Sequence, residues 1–385
     1  MRIVAAAYLT TTSLFVSTAA KSGGALLHPR TFTTFVAHNH KTGVFRSQTS
    51  PVVRYMSSSL DEMAKKTLLS CPTIPMNNGV DHPAIGFGTY KVGFLPASAS
   101  AAVAGSATSE QAEERSAREC VADALNVGYR FLECAEFYGN EAEVGKAIVD
   151  SGVPRKELFL CSKVWTTTIE KGPDAIEAQL EQTLADLGTD YIDLYLVHWP
   201  VPGHHVTAYK TLEELQKKGK IRGIGLSNYA VEDYLELKEA GIEIAPCVNQ
   251  IEINPFLNRK NTIDFFQKEG VVLQSYRSLR DGKAMQDETL VKIAHAHDKT
   301  VAQILGRWCV QMGFVYMPKS VKTARMIENA QVFDFALTQE DMSTLDALTA
   351  PAAIETFKGL YRKCVNRDTS KSGSLEGVKM DITND

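Results

Sequence analysis

The chain has 385 residues, 44% of them hydrophobic, and a formal charge of -4. That is enough apolar material for one large or two ordinary globular domains, and the weak negative balance leaves no electrostatic footprint for nucleic acid or an anionic membrane surface. Seven scattered cysteines without any C-x-x-C spacing speak for reduced thiols and against a disulfide framework or a zinc site.

The first sixty residues carry Arg2, Lys21, Arg30, Lys41, Arg46 and Arg54 and no acidic residue before Asp61, among many serines and threonines. This is a targeting composition. Residues 3–20 look like the apolar region of a signal peptide, but residues 10–13 interrupt it too strongly for a membrane span. Residues 1–66 are therefore expected to be a disordered presequence. Its address is a plastid, through a signal segment followed by a basic transit segment, or a mitochondrion, through one presequence ending near residues 54–57; a cytoplasmic chain is the alternative. The native protein is expected to begin between about Arg54 and Thr67. Amino-terminal sequencing that returned Met1 or Arg2 would refute import.

From Cys71 the pattern changes. Ile74-Pro75-Met76 followed by Asn77-Asn78-Gly79 predicts a small hairpin, and residues 85–90 a first core strand. Residues 95–108 are an Ala/Ser-rich insertion expected to form a loop. Further apolar runs predict strands over 131–135, 158–165, 192–199, 221–227, 246–252, 271–275 and 314–317, with helix-period stretches between them. Eight β/α repeats in succession argue for a closed parallel (β/α)8 TIM barrel, whose catalytic groups gather at the C-terminal strand ends. The nearest approach to G-x-G-x-x-G, from Gly223 to Asn228, lacks the third glycine and is weak evidence for a dinucleotide fold of the open-sheet kind. Residues 345–349 close the last helix. A single barrel domain over 67–366 is expected, followed by a Ser/Lys/Gly-containing tail, 367–385, that reads as mobile.

Chemistry-bearing residues collect at the predicted strand ends. The stretch 128–141, GYRFLECAEFYGNE, sets Glu133 on a strand and Tyr138 in the turn after it. The next strand carries Lys163 in an otherwise apolar run, where a charge calls for a carboxylate partner. The strand after that ends in His198, just before a Trp-Pro corner. Each alone is ordinarily a packing residue or a satisfied core group. Their convergence at the ends of three successive strands points to a catalytic rim.

At this level of detail the sequence resembles the aldo-keto reductase family, over about residues 73–349. Phe87-Gly88-Thr89-Tyr90, the GYR…A…Y-x-N-E stretch, Ser162-Lys163, Leu196-Val-His-Trp-Pro200, Gly225-Leu-Ser-Asn228, Val248-Asn-Gln-Ile-Glu252 and Met317-Pro-Lys-Ser320 follow one another in the family's order. The resemblance implies a barrel with a hairpin across its bottom and NADPH-dependent reduction of aldehydes and ketones, with no metal. Tyr138 would give the proton. Lys163 would lower the phenol's pKa from about 10, Glu133 would keep Lys163 charged, and a neutral His198 would orient the carbonyl. On the cofactor side, Gly88 and Thr89 match binding positions, Ser227, Asn228 and Gln250 hold the carboxamide, and Tyr276 stacks on the nicotinamide. Leu279 belongs to the pyrophosphate-side loop. Lys319, Ser320, Arg325, Glu328 and Asn329 match the grip on the 2′-phosphate and adenine, which favours NADP over NAD. Tyr90, Trp165 and Trp199 match pocket walls. The short segment 200–206 leaves that pocket open, and 351–364 should supply its other wall. A small-molecule carbonyl substrate and a monomer are implied.

The sequence departs from the family in three places. Glu133 stands where the family carries aspartate, Phe131 where it usually has histidine, and Arg277-Ser278-Leu279 where it has Ser-Pro-Leu. The first departure supports an alternative reading as an NADP-binding regulatory or sensor barrel with weak turnover, since glutamate reaches about 1.5 Å further than aspartate.

Overall fold

The computed structural model describes Lys65, Leu68 and residues 70–93 and 115–378. The expected presequence, but for Lys65, and the Ala/Ser-rich insertion lie outside the described residues. Strands β1 (Thr73–Pro75) and β2 (Asp81–Pro83) form an antiparallel hairpin. Eight strands then pair in parallel, each with its neighbour in the chain: β3 (Phe87–Gly88), β4 (Phe131–Glu133), β5 (Phe159–Val164), β6 (Ile192–Val197), β7 (Ile221–Ser227), β8 (Val248–Glu252), β9 (Val272–Tyr276) and β10 (Val315–Tyr316). A bridge from Ile85 to Tyr316 joins the last strand to the first. Backbone bonds at that seam run from Tyr316 N to Ala84 O and from Gly86 N to Tyr316 O, both 2.9 Å, and from Gly88 N to Pro318 O, 3.1 Å. The predicted (β/α)8 barrel is the fold observed.

Around the barrel lie α1 (Ala117–Val127), α2 (Glu141–Ser151), α3 (Thr166–Lys171), α4 (Pro173–Leu187), α5 (His205–Lys217), α6 (Val231–Glu239), α7 (Lys260–Lys268), α8 (Glu288–Ala296), α9 (Val301–Gln311), α10 (Thr323–Ala330), α11 (Gln339–Asp346) and α12 (Pro351–Cys364). Every residue of β5 and β6 is buried, as expected of parallel strands covered on both faces. Helix ends follow local chemistry. Ser116 caps α1 by accepting from Glu119 N while the Glu119 carboxylate returns to Ser116 N, and Gly128, at φ 117°, ends the helix in a conformation open to glycine. Among the described residues no helix is long and apolar enough to cross a membrane, and none of the seven cysteines forms a disulfide.

The hairpin seals one end. Met76 packs with Phe131, Phe159, Leu194, Val248 and Val272. Asn77 Nδ2 donates to Pro246 O at 2.9 Å and Asn78 Nδ2 to Arg222 O at 3.1 Å, carbonyls at the entry to β8 and β7. The N-terminal mouth of the barrel is thereby closed, and the C-terminal strand ends form the functional face.

Of the tail expected to be mobile, residues 379–385 lie outside the described residues. Residues 367–378 fold back onto β5 and α3: Trp165 Nε1 donates to Asp368 Oδ2 at 3.1 Å, Ser370 N to the Glu170 carboxylate at 2.9 Å, and Thr166 Oγ1 to Arg367 O. Composition hid this because the contacts are individual hydrogen bonds, with no hydrophobic period to betray them.

Candidate active site

The centre of the site is the buried Lys163 at the C-terminal part of β5. Its ammonium has three protons to give, and three acceptors receive them: the Glu133 carboxylate, the Cys134 carbonyl at 2.8 Å and the Tyr138 hydroxyl at 3.0 Å. A fully buried charge is tolerable only with such complete pairing. β4 delivers Glu133, and the 3-10 turn Glu136–Tyr138 delivers the phenol. The predicted triad of acid, lysine and carboxylate is brought together.

One electrostatic expectation is reversed. Tyr138 donates its own proton to Glu133 Oε1 at 2.8 Å. Burial, and next the Glu133 charge, hold the phenol well above its usual range, where the sequence reading had Lys163 lowering it. The physical reason is the burial of the phenol together with Glu133 Oε1, which accepts from both the Lys163 ammonium and the Tyr138 hydroxyl.

His198 follows β6, its ring centroid 6.2 Å from that of Tyr138 and 4.9 Å from that of Trp165. Burial and the nearby Lys163 charge push its pKa well below the usual imidazole value, so the ring is neutral at pH 7. Its buried Nδ1 has no hydrogen-bond partner among the described residues. An unpaired acceptor costs less than an unpaired N–H, which places the proton on Nε2.

The predicted carboxamide residues meet at the ends of β7, β8 and β9. Ser227 stands opposite Gln250 in the sheet. Asn228, at φ 62°, gives its two amide protons to His198 O, 3.0 Å, and Ser227 Oγ, 3.1 Å, and accepts from the Tyr276 hydroxyl at 2.8 Å. Ser227 therefore keeps its own proton to donate. In the loop after β9, Arg277, Arg280 and Asp281 all have φ between 50° and 55°, a left-handed conformation costing about 1–2 kcal/mol per residue. Arg277 braces that loop through Asp281 at 2.8 Å and Glu252 at 3.1 Å. Such strain gathers where a ligand must be met. Leu279 turns toward the apolar core.

Gly88 and Thr89 lie at the seam. Thr89 spends its hydroxyl proton on Glu133 O at 2.9 Å, and a Cβ built on Gly88 would lie 3.5 Å from Glu133 Oε2 and 3.8 Å from Lys319 Cβ. Lys319 and Arg325 are exposed, Ser320 Oγ accepts from Lys322 N at 3.0 Å, and Glu328 and Asn329 lie a turn further along α10.

Aromatic rings line the mouth. Tyr90 sits 5.1 Å from Tyr138, and Trp199 meets Tyr361 of α12 edge to face at 5.5 Å. Trp165 and Trp199 share a cluster with Leu257, Phe357 and Val365, so the C-terminal segment is a wall, as expected. The tail adds to that wall through the bond from Trp165 Nε1 to Asp368 Oδ2. Two contributors escaped the sequence reading. Phe137 stacks on Trp165 at 4.0 Å; its place beside Tyr138 was the available signal. The Cys134 carbonyl, like any backbone group, gives no signal in a sequence.

A family model described as "Aldo/keto reductase family" matches residues 84–350. The chain is 42% identical over 277 residues to a glyoxal reductase of Bacillus subtilis, covering 72% of this chain and 92% of that protein. It is 31% identical over 311 residues to an aldehyde reductase of Saccharomyces cerevisiae, covering 73% and 91%. The structure of a Bombyx mori aldo-keto reductase in complex with NADP is similar, with a TM-score of 0.63, 28% identity and coverage of 72% of this chain and 93% of that one.

Proposed function

The chain belongs to the aldo/keto reductase family, and from that premise we infer that it is an NADPH-dependent reductase of small aldehydes and ketones, with Tyr138 as the proton donor. The observation that carries this reading is the meeting of Lys163, Glu133 and the Tyr138 hydroxyl at the C-terminal strand ends, where the phenol proton now given to Glu133 would turn to a substrate oxygen.

The residues present suit the cofactor. Ser227 offers a hydroxyl proton, Gln250 and Asn228 offer acceptors, and Tyr276 a ring, while Lys319 and Arg325 beside the start of α10 offer cations for a phosphate. Bound NADPH would supply the hydride that reduces the carbonyl carbon. His198 would donate from Nε2 to the substrate oxygen and orient it. Tyr138 would release its proton to that oxygen as negative charge develops there. The Lys163 ammonium, 3.0 Å from the phenol oxygen, stabilises the phenolate this leaves behind. Tyr90, Trp165, Trp199 and Phe137 suit an apolar or compact carbonyl. The dicarbonyl class named for the Bacillus relative fits within that description.

Purified protein with NADPH and a panel of small aldehydes tests the reading through loss of NADPH absorbance. No turnover with any of them would overturn it. Arg325→Ala is expected to weaken NADPH binding about tenfold or more, as loss of a charge-assisted contact does, with little change for NADH, which lacks the 2′-phosphate. Equal losses for both would reduce Arg325 to a surface charge.

A further inference from the structure

Gln250 and Gln274 stand opposite one another on β8 and β9. Their amides are joined, Gln250 Nε2 donating to Gln274 Oε1 at 2.8 Å. The other end of Gln274 meets His82 Nε2 at 2.7 Å. His82 is the middle residue of β2, in the hairpin that seals the barrel, and its Nδ1 lies 2.8 Å from Pro83 O. All three side chains are buried. A polar chain thus runs through the barrel interior, from the closed end to the residue that the family resemblance places at the nicotinamide.

The direction of this chain is dictated by its last member. A carbonyl only accepts, so the proton of His82 is on Nδ1. Burial lowers the imidazole to about 4, so the ring is neutral near pH 7 and Nε2 must accept. Gln274 therefore turns its NH2 to His82 and its oxygen to Gln250. Gln250 must turn its NH2 to Gln274, and its Oε1 is left for a ligand.

We propose that His82 and Gln274 are positioning residues that lock the Gln250 amide with its carbonyl oxygen presented to the carboxamide NH2 of the cofactor. The proposal rests on the reading of Ser227, Asn228 and Gln250 as the carboxamide pocket. Polarity is complementary throughout: Ser227 has a proton for the carboxamide oxygen, and Gln250 Oε1 has lone pairs for its N–H groups. A flipped Gln250 would set NH2 against NH2. The hairpin at the far end of the barrel thereby acts on cofactor recognition without touching the cofactor. His82 also packs edge-on against Phe131, ring centroids 4.7 Å apart, and tilted on Phe159 at 4.3 Å, which fixes the imidazole plane.

The test compares NADP+ with its 3-acetylpyridine analogue, in which a methyl group replaces the carboxamide NH2, by titration of each enzyme with both ligands. Wild type should prefer NADP+ by about tenfold or more, the effect of one well-placed hydrogen bond to a buried partner. Gln274→Leu and His82→Leu should lose NADP+ affinity while keeping that for the analogue, so that the preference falls toward one. His82→Gln, whose side-chain oxygen can accept from Gln274, should restore most of the preference. Each variant is its own control, because a general packing defect weakens both ligands equally. Equal weakening, or an intact preference in Gln274→Leu, overturns the proposal. If wild type and Gln250→Ala both fail to discriminate between the ligands, the assignment of Gln250 to the carboxamide falls first; if Gln250→Ala loses the preference and Gln274→Leu keeps it, only the positioning chain falls.

Discussion

Tyr138→Phe is expected to lower kcat for carbonyl reduction by about 100- to 10,000-fold, the usual worth of a positioned general acid, with NADPH affinity near that of the wild type. The substitution removes one oxygen and keeps the ring, which rests 5.1 Å from Tyr90. The hydroxyl is the only part of Tyr138 that meets Lys163 and Glu133 by hydrogen bonds. None of the groups proposed for the carboxamide, Ser227, Asn228 and Gln250, bonds to it. Steady-state turnover at saturating NADPH, beside fluorescence titration of the cofactor, separates the two effects. Turnover equal to wild type would remove Tyr138 from the mechanism.

Glu133→Gln is expected to lower kcat on the order of 100-fold, again with little effect on NADPH binding. The change preserves size and deletes charge, leaving the buried Lys163 ammonium without its carboxylate. An uncompensated buried charge costs about 3–5 kcal/mol, which emerges as lower thermal stability or is relieved by loss of the ammonium proton. In the second case nothing stabilises the phenolate as Tyr138 gives up its proton. Glu133→Asp keeps the charge and draws it back from the phenol, so turnover should be kept or raised. The pH profiles should differ in a stated direction. In wild type the raised pKa of Tyr138 keeps the acid form present across neutral and moderately alkaline pH, so reduction holds steady there while alcohol oxidation, which needs the phenolate, climbs with pH. In Glu133→Asp the phenol sheds its carboxylate neighbour, its pKa falls, and both limbs move to lower pH. If Glu133→Gln reduces aldehydes as fast as wild type at every pH, Glu133 has no part in proton transfer, and a barrel that senses NADP without much turnover becomes the better description.

The fold was legible because its strands are short apolar runs punctuated by turn residues, and because Ile74 to Gly79 has the chemistry of a hairpin. Lys163 announced itself as a charge within FLCSKV, and Tyr138 by its place in a family pattern. What could not be read depended on distance in space. The bond from Tyr138 to Glu133, and its effect on the phenol, need the folded geometry to appear. His82, Gln274 and Gln250 are far apart in sequence and belong to three ordinary-looking strands; only the barrel lines them up. The tail after Asn366 has the composition of a loop, and its bonds to Trp165, Thr166 and Glu170 are side-chain and backbone contacts that no period encodes.

The seam between β10 and the segment before β3 has a consequence for how the molecule comes into being. Ile85 and Tyr316 are roughly 230 residues apart, so joining them carries a loop-closure cost of about 5 kcal/mol. Contacts of such long range form late in folding. A chain emerging during synthesis can assemble β4 to β9, with Glu133, Tyr138, Lys163 and His198, while the ring is still open. Gly88 and Lys319 sit on opposite lips of that opening. A dinucleotide gripped by both lips would act as a clasp, worth about 2.7 kcal/mol at a concentration one hundred times its dissociation constant. Such a ligand would favour the closed ring over the open one by mass action.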